Sequence, residues 1–216
     1  MKVTSIILAG GKNQRLDNVR SKALQIIGGK SLIECVTERI RPLTNQILVV
    51  TSREQFNLPV ACRAEILVDL YPDKGPLGGI YTGLLASRSS HSLVVACDMP
   101  FLNTELLRYM VELSSDFDAV VPLLEEEMVE PLHAIYSKNC LRSIKTQLER
   151  NELAVDSIFG TVSVKYVKRA ECQRLDPQLL SFFNVNDHYD LERAVAWATT
   201  SIGGLFSPTV INFSDD

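Results

Sequence analysis

The chain has 216 residues, 46% hydrophobic and 22% charged, the balance of an ordinary globular protein long enough to bury a substantial core. With 22 Lys and Arg against 26 Asp and Glu, the formal charge is -4. That acidity argues against sequence-independent nucleic-acid binding, which leaves a basic footprint, but not against a phosphorylated small molecule.

No apolar run approaches the roughly 20 residues of a membrane span. The start, Met1 to Leu8, runs straight into Gly10-Gly11 without the longer apolar stretch and cleavage site of a signal peptide. The five cysteines (Cys35, Cys62, Cys97, Cys140, Cys172) are odd in number, and no two stand at CxxC spacing. Neither a disulfide framework nor a zinc site is expected, and the cytoplasm is the expected compartment.

In chain order, Val3–Leu8 predicts a strand and Ser31–Arg41 a helix with Leu32, Ile33, Val36 and Ile40 on its inner face. Gln46–Thr51 and Glu65–Val68 predict strands, Leu77–Ala86 a crossover helix, Ser92–Cys97 a strand and Asn103–Leu113 a further helix. The strands are continuously apolar rather than alternating, as in a mostly parallel sheet covered on both faces. This β-α-β alternation defines an α/β domain with right-handed crossovers. Asp118–Leu123, Pro131–Tyr136 and Thr161–Val167 predict later strands, and Asn139–Arg150 a helix. Glu125-Glu126-Glu127 reads as a solvated hairpin tip, and Asp187 caps a last helix through Trp197. Residues 1–201 are expected to form one domain, and 202–216 a loosely ordered tail.

Ligands of such sheets bind beyond the carboxyl ends of the strands. After the first strand come Leu8-Ala9-Gly10-Gly11-Lys12-Asn13-Gln14-Arg15 and then Ser21-Lys22. Glycines there let backbone N–H groups approach an anion, and Arg15 and Lys22 add cations for a triphosphate. An ordinary turn with exposed cations is the alternative. Neither a dinucleotide fingerprint nor a P-loop is present: Gly10-Gly11-Lys12-Asn13 lacks G-x-G-x-x-G, and Gly29-Lys30-Ser31 would need a glycine where Leu24 stands.

The fourth strand runs into Asp98-Met99-Pro100, a carboxylate placed for a hard cation such as Mg2+. The alternative role, capping the next helix, falls more naturally to Asn103 or Thr104. Cys97 reads as a buried small hydrophobe, His133 as a core or cleft-wall residue, and His188 as a surface residue. Asp69 follows the third strand, where a base or ribose contact would lie, and Asp73-Lys74-Gly75-Pro76-Leu77-Gly78-Gly79 turns into a helix N-terminus. Phe183-Asn184-Val185-Asn186-Asp187 forms a late strand-to-helix junction.

Taken together, LAGGKNQRL…SKAL, LVD…GPLGGI, CDMPFL, EPLHAIY and FFNVND, in that order, resemble the MobA-like nucleotidyltransferase family, and within it the molybdenum cofactor guanylyltransferases. The resemblance spans roughly residues 3–197. It implies a Rossmann-like three-layer fold and transfer of GMP from MgGTP to the phosphate of molybdopterin-bound molybdenum cofactor, releasing pyrophosphate. It also implies that Leu8, Ala9, Gly10 and Gly11 wrap the nucleotide and that Lys22 and Arg15 meet its phosphates. Thr51 and Asp69 match nucleoside contacts, Asp98 the holder of Mg2+ and phosphate, and Asn184 and Asn186 the acceptor side. A cofactor-delivery protein is an expected partner. The chain departs from the family in reading Arg15-Leu16-Asp17-Asn18 and Ser21-Lys22 where Arg-Met-Gly and Asp-Lys are usual, and Thr51 where Asn is frequent. These changes bear on base selectivity and acceptor identity. The alternatives are a related transferase using CTP or a sugar phosphate, and a weakly catalytic nucleotide- or cofactor-binding adaptor.

Overall fold

A computed structural model of the chain describes residues 2–10, 21–53, 64–126 and 128–202. Of the tail expected at 202–216, Ile202 ends the last helix and the rest lies outside the described residues. The elements run β1 (Val3–Leu8), β2 (Ile26–Ile27), β3 (Lys30–Ser31), α1 (Leu32–Ile40), β4 (Thr44–Thr51) and β5 (Glu65–Val68). They continue with α2 (Gly75–Ala86), β6 (His91–Ala96), α3 (Thr104–Leu113), β7 (Ala119–Leu123) and β8 (His133–Ser137). The last are α4 (Cys140–Arg150), β9 (Val164–Lys168), α5 (Arg169–Leu175) and α6 (His188–Ile202). No helix among the described residues is long and apolar enough to cross a membrane.

Seven strands form one sheet in the order β5-β4-β1-β6-β8-β7-β9. Its pairings are parallel except where β8 runs against both β6 and β7. The sheet is therefore mostly parallel, as the apolar runs predict, with one reversed strand. The reason is local: Leu124 N–H donates to Met128 O and Glu130 N–H to Pro122 O, so the chain turns back in a hairpin at the acidic tip. So short a connection joins antiparallel strands and cannot make a crossover.

Strand alternation divides the core into two layers. Ile7, Val49, Val95 and Ile135 face α1 and α3, where Ile33, Val36, Leu106 and Met110 are buried. Ile6, Leu48, Val94 and Tyr136 face α2 and α4, where Leu77, Ile80, Ile144 and Leu148 are buried. Helix–sheet–helix is thus the three-layer α/β architecture expected from the sequence. The helix starts are encoded too: Glu34 Oε2 accepts from both the N–H and the hydroxyl of Ser31, and Asn103 Oδ1 accepts from the N–H groups of Glu105 and Leu106. Asn103 is therefore the cap of α3, which leaves Asp98 without that duty.

Several elements differ from expectation: the short β2–β3 pair was not foreseen, and α6 runs past Trp197 to Ile202. The strand read as Thr161–Val167 begins at Val164, because turns closed by Phe159 N–H to Asp156 O and Thr161 N–H to Ile158 O occupy the preceding residues. β8 begins at His133 rather than Pro131, since Glu130 O accepts from His133 N–H in a turn and proline has no N–H for a ladder. Helix α5, unforeseen, is held by Glu171, whose Oε2 accepts from Lys168 N–H.

Helix α2 lies unusually close to the sheet because Gly78, Gly79 and Gly83 are buried along it. A Cβ on Gly83 would lie 2.6 Å from Ile6 Cγ2 and 2.8 Å from its Cδ1, inside contact distance of a fully buried side chain. Gly83→Ala gains about 0.5–1 kcal/mol of helix propensity but overpacks the core at a cost of about 1–3 kcal/mol. The variant is expected to unfold at lower urea concentration, and combining it with Ile6→Ala should cost less than the sum of the two changes. A stabilised Gly83→Ala variant would contradict the close approach.

Candidate active site

The rim formed by the carboxyl ends of β1, β4 and β6 is tied together by main chain. Ala9 N–H donates to Val50 O at 2.8 Å, Cys97 N–H to Leu8 O at 3.1 Å, and Asp69 N–H to Thr51 O at 2.9 Å. Leu8 and Ala9 are buried, whereas Gly10 is exposed at the end of the strand. Thr51 is fully buried and hands its hydroxyl to Ala9 O at 3.3 Å, so it holds the ends of β1 and β4 together. Gly11 and Arg15 lie outside the described residues.

Three separate segments converge beside this rim. Lys22, in a short 3-10 turn after the first loop, places Nζ 2.6 Å from Asp98 Oδ2 and 3.1 Å from Asn186 Oδ1. Val185 N–H donates to Asp98 O at 2.9 Å, fixing the late segment to the end of β6. The ion pair is nearly dry, with side-chain exposures of 10% for Lys22 and 18% for Asp98. The second carboxylate oxygen, Asp98 Oδ1, is buried with no hydrogen-bond partner among the described residues. Asn184 does not join this cluster; its Nδ2 turns back to Phe182 O at 3.3 Å.

An orphaned carboxylate oxygen beside an amide oxygen suits a hard cation. Among the described residues no three His, Cys, Asp or Glu side chains gather into a metal cage. Mg2+ does not require one, since it takes one or two carboxylates and completes its shell with water and phosphate oxygens. The residues present fit Mg2+ bound together with a phosphorylated ligand.

Asp69 sits at the opposite end of the rim, half-buried at the end of β5. Its Oδ1 accepts from Tyr71 N–H at 3.0 Å and lies 2.9 Å from Thr82 Oγ1. Burial raises its carboxyl above the ordinary range, and those two hydrogen bonds pull it partly back. Thr82 and Gly78 stand one turn apart on α2 and both face this carboxylate: a Cβ on Gly78 would fall 2.8 Å from Tyr71 O and 3.2 Å from Asp69 Oδ2. Sequence reasoning missed Thr82. The signal was the i, i+4 spacing from Gly78 within a helix that begins at the GPLGG turn.

Neither Cys97 nor His133 is an activated nucleophile beside these groups. Cys97 is buried, and desolvation together with the Asp98 charge pushes its thiol up to about 12. His133 is fully buried against Phe182, with ring centroids 4.7 Å apart and neither nitrogen hydrogen-bonded. Burial lowers its pKa to about 4, so it is neutral near pH 7. His188 is exposed at the start of α6.

An α/β sheet with a lysine–aspartate pair and an open carboxylate oxygen at its carboxyl rim defines an enzyme that handles a phosphorylated ligand, and comparison with known proteins specifies which kind. Residues 5–161 match the family model described as the MobA-like NTP transferase domain. The chain belongs to that family and is a nucleotidyltransferase. A probable molybdenum cofactor guanylyltransferase of Methanosarcina mazei is 35% identical over 209 residues, covering 93% of each chain. A molybdenum cofactor guanylyltransferase of Desulfosudis oleivorans is 30% identical over 195 residues, 90% of this chain and 95% of its own. Among solved structures, molybdopterin-guanine dinucleotide biosynthesis protein A of Archaeoglobus fulgidus superposes with TM-score 0.76 at 26% identity, covering 91% of this chain and 99% of its own. The 2-C-methyl-D-erythritol 4-phosphate cytidylyltransferase of Thermus thermophilus shares the fold, with TM-score 0.68 at 20% identity, over 92% of this chain and 100% of its own.

Two stability predictions follow from the geometry. Lys22→Met leaves the Asp98 carboxylate buried without its cation and is expected to cost about 3 kcal/mol in urea unfolding. Adding Asp98→Asn should recover part of that loss; equal stability of Lys22→Met and the native chain would show that the pair is not coupled. His133 takes up a proton near pH 6.5 in the unfolded chain but only near 4 in the folded one. Its contribution is therefore complete above about pH 6.5 and is lost as pH falls towards 4, by about 3 kcal/mol in all. His133→Leu should flatten stability across that window, and an unchanged pH slope would contradict the buried neutral imidazole.

Proposed function

We infer that this nucleotidyltransferase transfers GMP from GTP to the terminal phosphate of molybdopterin-bound molybdenum cofactor and releases pyrophosphate. The observation that carries the reading is the meeting of Lys22, Asp98 and Asn186 at the sheet rim, with Asp98 Oδ1 left open. The names of the relatives supply the two substrates.

In this reaction an acceptor phosphate oxygen attacks the α-phosphorus of the nucleotide while the bond to pyrophosphate breaks. A phosphate monoester is already an anion near neutral pH, so no side chain need remove a proton. That agrees with a site whose nearby thiol is held protonated and whose only fully buried imidazole among the described residues makes no polar contact. What must be overcome is repulsion between anions, and what the protein supplies is position and positive charge.

Lys22 is built for that task. Its ammonium has three N–H donors; among the described residues Asp98 and Asn186 take two, which leaves a third for a phosphate oxygen. The buried pair holds the cation in place before substrate arrives, so little reorganisation is needed. Mg2+ would be held by Asp98 through its open oxygen and would neutralise charge on the triphosphate. Asn186 aligns the lysine, and Asn184, two residues earlier, is assigned to the acceptor side. Exposed Gly10 lets the ligand approach the main chain, with Leu8 and Ala9 shaping the wall behind it. Gly11 and Arg15 are assigned to the phosphates and Asp69 to the nucleoside, with the buried Thr51 holding the strand ends behind it.

Asp98→Asn also breaks the buried pair and should lower stability, so kcat is measured on the fraction shown folded by circular dichroism; there it is expected to lose at least about a hundredfold, and full activity would remove Asp98 from the reaction. Lys22→Ala should raise KM for GTP and lower kcat together. In a thermal-shift panel with Mg2+, GTP should stabilise the chain more than CTP, ATP or UTP, because only a ligand of the native state raises its apparent stability. Selective stabilisation by CTP would overturn guanylyl transfer in favour of cytidylyl transfer.

A further inference from the structure

The ammonium of Lys22 meets two acceptors that are themselves held in different ways. Asp98 stands just beyond β6, whereas Asn186 lies in residues 183–187, which belong to no strand or helix. Two main-chain contacts fix this segment. Val185 N–H donates to Asp98 O at 2.9 Å, and Asn186 N–H donates to Asp190 Oδ2 at 3.0 Å. Asp190 stands in the first turn of α6, and its own N–H donates to Asp187 Oδ1 at 2.9 Å. In a capping box the carboxylate of the first turn accepts from the N–H of the capping residue. Here it accepts from Asn186, one residue earlier, so the start of α6 also holds the residue that meets the lysine.

The same carboxylate is oriented from its other side. Asp190 Oδ1 lies 3.7 Å from Arg193 Nη1, and the Asp190 side chain is only 18% exposed. An ion pair one turn apart on a helix surface is worth little by itself. Arg193 is held by more than its partner: its guanidinium carbon lies 5.0 Å from the ring centroids of both Phe183 and Trp197, and 5.7 Å from that of Tyr189. A flat, weakly hydrated guanidinium is attracted to such ring faces and keeps its charge for a carboxylate. Phe183 and Trp197 pack together at 4.9 Å, and Phe101, from the chain just after Asp98, packs on them at 6.0 and 5.8 Å. Val185 is fully buried in the same cluster with Ala194 of α6. Arg193 thus grips the segment at both ends, at Phe183 through the ring and at Asn186 through Asp190. We propose that Asp190 and Arg193 are positioning residues for phosphate binding: they hold residues 183–186 so that Asn186 Oδ1 stays 3.1 Å from Lys22 Nζ and the ammonium keeps its orientation. The assignment rests on the nucleotide-transfer reading above and extends the site to side chains of α6 that act through Asn186.

The test is a double-mutant cycle read on two quantities. Asn186→Ala removes the amide that meets Lys22 but keeps the main-chain N–H bonded to Asp190. The loss of urea stability in Asp190→Ala should therefore be the same in the native and Asn186→Ala backgrounds. Its effect on turnover should not. In GMP transfer from GTP with Mg2+ to molybdopterin-bound cofactor, Asp190→Ala should lower kcat/KM about tenfold in the native background, raising KM for GTP and lowering kcat together as Lys22→Ala does. In the Asn186→Ala background the further loss should stay within about twofold. Asp190→Asn keeps an acceptor for the Asn186 N–H and should recover part of the loss. Arg193→Lys keeps the charge but not the flat stack, and should fall between the native chain and Arg193→Ala. An equal loss of kcat/KM in both backgrounds would reduce Asp190 to a helix cap and overturn the proposal, as would full activity of Asp190→Ala. Should Asp190→Ala fold poorly, Arg193→Ala, which leaves the cap bonds intact, takes its place in the cycle. If the native chain transfers no GMP, guanylyl transfer fails, and the cycle is read instead on affinity for whichever of GTP, CTP, ATP or UTP binds with Mg2+. Failure to bind any of the four would overturn the transferase reading and this one with it.

Discussion

A lysine and an aspartate separated by 76 positions meet at 2.6 Å in surroundings almost without water. Withdrawing two charges from solvent costs several kcal/mol each, and their attraction repays this only with good geometry and further hydrogen bonds. Both are present, since Asn186 accepts from the same ammonium and Val185 N–H holds the aspartate main chain. Three stretches far apart in sequence are thereby committed to one spot on the sheet. The sequences after β1 and β6 and before α6 can each vary in their turns, but not in the charge or reach of these side chains.

The fold was legible in the sequence because its strongest signals are local. Continuous Val, Ile and Leu runs marked doubly covered strands, and Leu32, Ile33, Val36 and Ile40 marked a helix face; both survive as the two buried layers. What escaped depended on partners. The seven residues of α5 carry too few apolar side chains for a period, and the helix takes its place through Cys172, which packs into the core beside α3. The start of β9 was displaced by turns whose hydrogen bonds no hydrophobic pattern records.

Lys22, Asp98 and Asn186 each follow or precede a regular element at the rim, so position and chemistry together marked them before any geometry was known. Their mutual contacts were not legible, because nothing in a sequence states which nitrogen reaches which oxygen. Asn184 and Asn186 look equivalent as letters two apart, yet the amide of one turns back to the Phe182 carbonyl and the other reaches the lysine. Thr51 and Asp69 likewise look alike as polar residues at strand ends. One is spent on the Ala9 carbonyl and the other on Tyr71 N–H and the Thr82 hydroxyl.

The reversed strand β8 has a further consequence. Between β6 and β7 the rim receives the beginning of a strand rather than an end, with Ala96 N–H donating to Leu132 O where chain enters the sheet. Helix α4, which follows β8, accordingly opens at the opposite edge and directs the positive end of its dipole away from the ligand. On the β5-β4-β1-β6 side, β5 leads into α2 at the rim, and main-chain N–H groups can serve an anion whatever the side chains are. Among the described residues no helix follows β8 at this rim, so recognition beside that strand falls to side chains. The two sides of one crevice are thus open to different kinds of mutational change: the first tolerates side-chain replacement as long as the backbone path holds, and the second can acquire a new partner molecule by substitution alone.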